Sequence, residues 1–204
     1  MKRWLIGCGA VALVAILALV IWIPKKHKTT KNNVVVYSTD KPSEDKPDES
    51  YTWRGKAEDP KKIIIPSLGI DGYIQNVGID QNKEVAVPNN IHVAGWFVDT
   101  VLPGQKGLSI IDGHVDGRRL DGIFKNLATI KPGAEINIEF GNGSKKTFTT
   151  IKTQTMGADQ AAAALFSQEP TVSSQLNLIT CIGNFDEKTK RYEQRVIVST
   201  QLKE

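Results

Sequence analysis

Short apolar segments separated by turn-forming residues fill positions 59–204, and this pattern restricts the fold more than any other feature of the sequence. Ala134–Phe140 alternates apolar and polar residues at period two. Asn142-Gly143 is typical of a hairpin turn, and Lys146–Thr155 is the returning strand. Comparable segments lie at 62–66, 70–79, 85–87, 91–96, 108–114, 176–180 and 192–200. Two short helices are predicted at 121–127 and 158–166. Many short strands with frequent turns predict a mainly β domain, either a barrel or a sandwich.

A 20-residue run without a charge, Trp4–Ile23, precedes this domain and ends at Pro24. At ~1.5 Å per residue a helix of this length spans about 30 Å, the thickness of the hydrocarbon layer of a bilayer. The sequence therefore predicts a transmembrane anchor at 1–24, a flexible polar linker at 25–58 and one globular domain at 59–204. The linker composition cannot bury enough apolar surface to offset the entropy of ordering. Tyr51 and Trp53, near the domain boundary, are expected to pack on the domain, with a lid over a cleft as the alternative.

Two alternatives to the anchor remain open. A cleaved signal peptide needs a small-residue cleavage site, whereas this run ends in bulky residues. The segment Leu5–Cys8 resembles a lipobox but lacks a preceding apolar stretch. Two basic residues precede the run and four lysines follow it closely, so positive-inside counting by itself favours the topology opposite to that of an exported domain. We expect the N-terminus inside and the domain outside the cell.

Charge excludes one class of partner. The chain carries a net charge of +4, with ten basic and six acidic residues in 1–58 and sixteen of each in 59–204. The basic excess thus lies wholly outside the domain, which has no electrostatic signature of nucleic-acid binding.

Cys181 is the only cysteine of the domain, at the expected end of the strand Leu176–Thr180. The thiolate of a cysteine is a strong nucleophile, and an imidazole can accept its proton and later protonate a leaving amine. His114, where a predicted strand becomes a loop, is the candidate acid and base. Arg195, at the start of the last strand, is the candidate for binding an oxyanion or orienting substrate. An inert, buried thiol is the alternative for Cys181.

Other candidates are weaker. Arg191 is the nearest competitor of Arg195, ahead of the adjacent arginines at 118 and 119, and His92, in an apolar segment, is expected to be structural. Asp112 and Asp116 flank His114, but Gly113 and Gly117 indicate a loop there, and the absence of a calcium-loop glutamate also argues against metal. We expect neither a metal nor a cofactor.

Taken in order, these motifs resemble those of the sortases, membrane-anchored cysteine transpeptidases of Gram-positive-type bacteria. Asn177–Cys181 is similar to the Thr-Leu-x-Thr-Cys signature, departing at its first position, and Gly113-His114 resembles the histidine motif. Arg195, fourteen residues after the cysteine, fits the arginine motif. The segments 87–96 and 113–116 are most like those of class F sortases.

The resemblance implies a closed eight-stranded β-barrel with the active site at one end. It implies that Cys181 attacks the Thr–Gly carbonyl of a Leu-Pro-x-Thr-Gly-like sorting signal in a surface protein, forming a thioester. His114 would act as acid and base, Arg195 would steady the oxyanion or substrate, and Thr180 would contact substrate. An amine acceptor, such as a peptidoglycan precursor, would then release the product. A thiol endopeptidase and a non-catalytic β-barrel binding module are the alternative functions.

Overall fold

The computed structural model describes residues 38–39, 41–80 and 83–204. The predicted anchor at 1–24 and the first part of the predicted linker lie outside this range. Within the range, no helix is both long and apolar enough to cross a membrane.

Eight strands form a closed barrel in the order β1-β2-β3-β4-β7-β8-β6-β5. The strands are β1 (Pro60–Ile65), β2 (Ile70–Val77), β3 (Ala94–Phe97), β4 (Gly107–Asp112), β5 (Glu135–Phe140), β6 (Lys145–Gly157), β7 (Ser174–Asp186) and β8 (Arg191–Leu202). One α-helix, α1 (Ala158–Leu165), and two 3-10 helices, Pro66–Leu68 and Leu127–Thr129, complete the described fold. The mainly β class and the closed eight-stranded barrel are therefore confirmed.

Alternating side chains fill the barrel. In β5, Ile136, Ile138 and Phe140 point inward, and the residues between them are more exposed. They join one buried cluster with residues from the other strands, such as Ile63 and Phe148. Each fully buried side chain of this size contributes about 1.5–3 kcal/mol. A second, smaller cluster lies between the outer surface of the barrel and α1, and includes Ala161, Leu165 and Ile197.

Pairing in the barrel mixes two directions. β7 is parallel to β4 and antiparallel to β8, and β2 is parallel to β3. A parallel pair needs a crossover connection. The β4–β7 pair is therefore the arrangement that brings two distant parts of the chain side by side.

The predicted helix at 121–127 is wrong. The segment forms consecutive turns, and only the short 3-10 helix Leu127–Thr129 follows. The amide of Ile123 donates to Ile91 O at 2.8 Å, and that of Phe124 donates to His114 O at 2.9 Å. These backbone bonds to other segments replace helical ones, and the apolar spacing reflects burial of Phe124 and Leu127. The predicted helix at 158–166 is confirmed as α1, which ends one residue earlier.

The described part of the predicted linker contacts the barrel. Ser43 forms an isolated parallel bridge with Asn90. The indole Nε1 of Trp53 donates to Ile74 O at 2.8 Å, and the Tyr51 ring lies 4.5 Å from that of Tyr73. Both aromatic residues therefore pack on β2, and the boundary at residue 58 stays a prediction.

Candidate active site

Cys181 lies within β7 and not at its end. The strand continues to Asp186 and stays paired with β8, whereas β4 stops at Asp112, opposite Ile179. From Thr180 onward, β7 therefore loses its β4 neighbour. The prediction that β7 ends at Cys181 is therefore wrong. Cys181 instead lies just beyond the point where β4 ends, so the edge of β7 that faced β4 is available there for other contacts.

Arg195 is the direct cross-strand partner of Cys181 on β8. Side chains of such partners project from the same face of the sheet, with Cβ atoms about 5 Å apart. Ile179 and Ile197, two residues from each partner, face the outer cluster beneath α1. The alternation of the strands thus places the thiol and the guanidinium together on the outer surface of the barrel.

Two hydrogen bonds tie the start of the His114 loop to β7. Gly113 N donates to Ile179 O at 3.2 Å, and Thr180 Oγ1 donates to Gly113 O at 2.7 Å. Thr180 is buried, at 4% exposure, and its hydroxyl is used in this contact. Thr180, the residue before Cys181, therefore holds Gly113, the residue before His114. The expected contact of Thr180 with substrate stays a prediction.

The backbone of His114 is fixed from its other side by a glycine. Gly122 passes so close that a Cβ on it would lie 2.3 Å from His114 O. Gly122 N also donates to Val115 O at 3.0 Å. Only a residue without a side chain fits this approach, so Gly122 helps to set the position of His114.

The imidazole of His114 is oriented by one backbone carbonyl. Its Nε2 lies 2.7 Å from Pro88 O. A carbonyl oxygen only accepts, so Nε2 carries the proton of this bond and Nδ1 is the basic nitrogen of the neutral ring. Burial lowers the pKa of His114, and the bond to Pro88 and the nearby Asp116 carboxylate oppose this effect.

Burial raises the pKa of the Cys181 thiol. The Arg195 guanidinium lowers that pKa, whereas the carboxyl groups of Asp112 and Asp116 raise it. The neutral thiol and neutral imidazole are therefore the favoured resting forms.

The two arginines weighed from the sequence are in different settings. Arg195 is half-buried, and its Nη1 donates to Tyr192 O at 2.9 Å and to Gln194 O at 3.0 Å. Arg191 is exposed and pairs with Glu84. The structure thus places Arg195 beside Cys181 and directs Arg191 to a surface ion pair.

His92, predicted to be structural, donates from Nε2 to Glu44 O at 3.1 Å. The Glu44 carboxylate in turn accepts from the backbone amides of Arg118 and Arg119 in the loop after His114. Within the described ranges, no group of three or more metal-ligating side chains is present.

Four polar residues near the site were given no part in positioning it from the sequence. Asp112, at 5% exposure, has no hydrogen-bond partner for either carboxylate oxygen among the residues that the structure describes. Tyr192 donates from its hydroxyl to Asp116 Oδ1. Asn177 is fully buried, and its Nδ2 donates to Leu165 O at 2.8 Å, holding the end of α1 against β7. Asp112 and Asp116 carried a sequence signal as neighbours of His114, and Asn177 as the departing position of the cysteine signature, whereas Tyr192 carried none.

A closed β-barrel with a thiol opposite a guanidinium defines the architecture of the site. The sortase domain family matches residues 63–203, more than half of the chain. The chain therefore belongs to the sortase family. No curated protein matches it.

Solved structures show the same fold. Sortase A from Corynebacterium diphtheriae, a lid mutant, has a TM-score of 0.56 and 20% identity, covering 74% of this chain and 73% of that one. Sortase C-1 from Actinomyces oris has a TM-score of 0.52 and 20% identity, covering 72% and 75%. A Clostridium perfringens sortase D5 transpeptidase has a TM-score of 0.51 and 21% identity, covering 72% and 79%.

Proposed function

We propose that this sortase is a cysteine transpeptidase that cleaves a Leu-Pro-x-Thr-Gly-like sorting signal between Thr and Gly and transfers the acyl part to an amine. The observation that carries the proposal is the pairing of Cys181 with Arg195 where β4 ends and the His114 loop begins. The GHVD sequence at 113–116 further favours class F.

In the first half-reaction, the Cys181 thiolate attacks the carbonyl carbon of the threonine and forms a C–S bond. In this proposal the Arg195 guanidinium stabilises the oxyanion of the tetrahedral intermediate. The C–N bond to glycine then breaks, and protonated His114 gives its proton to the leaving amine. A thioester on Cys181 and a free glycine amine are the products of this step.

In the second half-reaction, an incoming amine attacks the thioester carbonyl. Neutral His114 accepts a proton from that amine, the new C–N bond forms, and the thiolate of Cys181 leaves. The cycle needs no oxidant, metal or cofactor, since all proton transfers balance between the imidazole and the two amines.

Protonation limits how much of the enzyme is ready to react. The first step requires the thiolate and the imidazolium together, whereas burial favours the neutral form of each group. The pH dependence of kcat/KM is therefore bell-shaped, with Cys181 and His114 as the coupled titrating pair.

The test is peptide ligation with the full chain. A sorting-signal peptide is incubated with and without a glycine-based amine, and mass spectrometry follows both the ligated product and a thioester adduct on Cys181. We expect ligation with the wild type and none with Cys181→Ala. Cleavage that persists in Cys181→Ala would refute the assignment of the nucleophile.

The same assay separates the alternatives. A thiol endopeptidase would release product to water without ligation when the amine is present. A non-catalytic binding module would leave the peptide intact, and its Cys181 would resist alkylation in the folded state. Loss of activity is expected to be greatest for Cys181 and His114, nearly as great for Arg195, and much smaller for Arg191.

The cellular setting is part of the proposal. Trp4–Ile23 would anchor the chain in the cell membrane as a single span, with the domain outside the cell. Surface proteins with a sorting signal would be the substrates, and a peptidoglycan precursor is the favoured amine acceptor. Protease treatment of intact cells should then digest residues 59–204 while leaving the anchor in the membrane fraction.

A further inference from the structure

The loop after His114 and the hairpin of β7 and β8 meet through one side-chain contact. Asp116 lies two residues after His114, and its Oδ1 accepts a hydrogen bond from the hydroxyl of Tyr192 on β8. Among the described residues, no other hydrogen bond joins 114–122 to 182–195. The contact spans 76 positions of the sequence.

Both partners of this contact are held by their own surroundings. Asp116 forms an antiparallel bridge with Asp121, and Gly117 N donates to Leu120 O at 2.8 Å, so the turn that carries the carboxylate is closed. On the other side, the ring of Tyr192 lies 5.0 Å from that of Phe185, its cross-strand partner. The hydrogen bond therefore joins two preformed elements.

An extra residue in β7 shifts its register with β8 beyond Cys181. Ile182 pairs with Gln194 and Phe185 pairs with Tyr192, so three steps on β7 match two on β8. Gly183 lies in this bulge with a φ of 88°, a conformation that favours glycine. Such a bulge bends and twists the strand pair beyond Cys181.

Tyr192 also contacts the guanidinium side of the site. Its carbonyl oxygen accepts from Arg195 Nη1 at 2.9 Å. One residue thus bonds through its side chain to the His114 loop and through its backbone to the arginine opposite Cys181.

We infer that Asp116 and Tyr192 form a positioning pair, which fixes the His114 loop relative to the Cys181 and Arg195 strands and places a negative charge near the imidazole. The inference rests on the proposed transpeptidase function. Neither residue takes part in bond making or breaking, since Tyr192 acts through Asp116 and Asp116 acts on His114.

The charged and titratable groups around Asp116 determine how neutralising its carboxylate changes the pH profile. The groups that interact electrostatically with its carboxylate are His114, Cys181, Tyr192 and Lys125. Arg195 and Asp112 act on the same thiol. The Asp116 carboxylate raises the pKa of both His114 and Cys181, so its neutralisation lowers both and moves both limbs of the pH profile to lower pH.

Two conservative variants separate the effect of the Tyr192–Asp116 hydrogen bond from the effect of the Asp116 charge. Tyr192→Phe removes the hydrogen bond and leaves the carboxylate. Asp116→Asn removes the charge and leaves a carbonyl oxygen that can accept from the phenol. Tyr73→Phe, on β2, is the matched control for the loss of a phenol hydroxyl.

The experiment measures kcat/KM for peptide ligation by the full chain between about pH 5 and 9. Because a hydrogen bond to a charged group is lost, Tyr192→Phe is expected to lower kcat/KM about tenfold with both limbs unmoved. Asp116→Asn is expected to move both limbs to lower pH. In an Asp116→Ala background, Tyr192→Phe should cause no further loss. A full tenfold loss in that background, or a Tyr192→Phe effect equal to that of Tyr73→Phe, would overturn the inference.

A second measurement does not depend on the sorting substrate. The rate of Cys181 alkylation by iodoacetamide is followed against pH, and Asp116→Asn should shift this profile to lower pH. If the wild type ligates no peptide but the alkylation shift occurs, the proposed function fails and the pair stands. If ligation occurs and neither profile moves in Asp116→Asn, the pair is refuted and the proposed function stands.

Discussion

Asp112 should make the stability of the fold depend on pH in a way that one substitution removes. Burial raises the pKa of its carboxyl well above the ordinary value of 3.8. Neither oxygen has a hydrogen-bond partner among the described residues, and Oδ1 would lie 2.3 Å from a Cβ on Gly95. The folded protein therefore holds this carboxyl as the neutral acid over a range of pH in which the unfolded chain has ionised it.

The sign and the slope follow from linkage. Above 3.8 the unfolded state has lost the proton that the folded state keeps, so the free energy of unfolding falls as pH rises. The slope is about 1.4 kcal/mol per pH unit until the folded-state pKa is reached. Asp112→Asn has nearly the same shape and does not titrate. The difference in the free energy of unfolding between Asp112→Asn and the wild type should thus grow, in favour of Asp112→Asn, by about 1.4 kcal/mol for each pH unit within that window.

The assay is urea denaturation of the wild type and Asp112→Asn at several pH values, beginning near the ordinary pKa of the carboxyl. The other titrating groups occur in both proteins, so their contributions largely cancel in the difference between the two free energies of unfolding. Burying the amide of Asp112→Asn adds a cost that does not change with pH, so it leaves the slope of that difference unaltered. Asp99→Asn, which removes a carboxylate from an exposed turn, is the control. A difference between Asp112→Asn and wild type that stays constant with pH would refute the reasoning.

Three further predictions concern the site and its support. Gly122→Ala forces a Cβ toward His114 O and should lower kcat/KM about a hundredfold in the ligation assay, because the imidazole shifts. Asn177→Ala leaves buried polar groups without partners and should lower the free energy of unfolding by about 2 kcal/mol, measured in urea. Arg195→Met removes the charge that lowers the pKa of Cys181, so the alkylation profile of the thiol should move to higher pH.

Matched controls exist for two of these variants. A Cβ on Gly157 meets nothing within 4 Å, so Gly157→Ala should leave ligation unchanged. Arg191→Met removes an arginine that pairs with Glu84 and should leave the alkylation profile in place. If Gly157→Ala lowered ligation as much as Gly122→Ala, the approach of Gly122 to His114 would not explain the loss. If Arg191→Met shifted the alkylation profile as much as Arg195→Met, the charge beside Cys181 would not explain the shift.

Local patterns in the sequence were sufficient for the β class and for several elements. The alternation at 134–140 and the Asn142-Gly143 turn predicted β5, β6 and the hairpin between them to within two residues. The alanine-rich segment likewise predicted α1. Closure of the eight strands into a barrel came from the family resemblance, because alternation does not distinguish a barrel from a sandwich.

The errors arose where distant segments decide the local structure. Residues 121–127 carry apolar side chains at helical spacing, yet the amides of Ile123 and Phe124 bond to Ile91 O and His114 O and the chain forms turns. The position of Cys181 was also misjudged, because the end of β4, not of β7, interrupts the pairing. Partners such as Tyr192 and Asp116 lie far apart in the chain, so no short-range pattern could join them.

The parallel pairing of β4 with β7 has a consequence for how the protein folds. Gly113 and Thr180 are 67 positions apart in the sequence. Closing the loop between them costs conformational entropy before the contacts between β4 and β7 can stabilise it. Folding that depends on such distant contacts is slow compared with folding through local ones. The thiol and the imidazole therefore come together only as the barrel closes, and we expect alkylation of Cys181 during refolding to report on the last stage of folding.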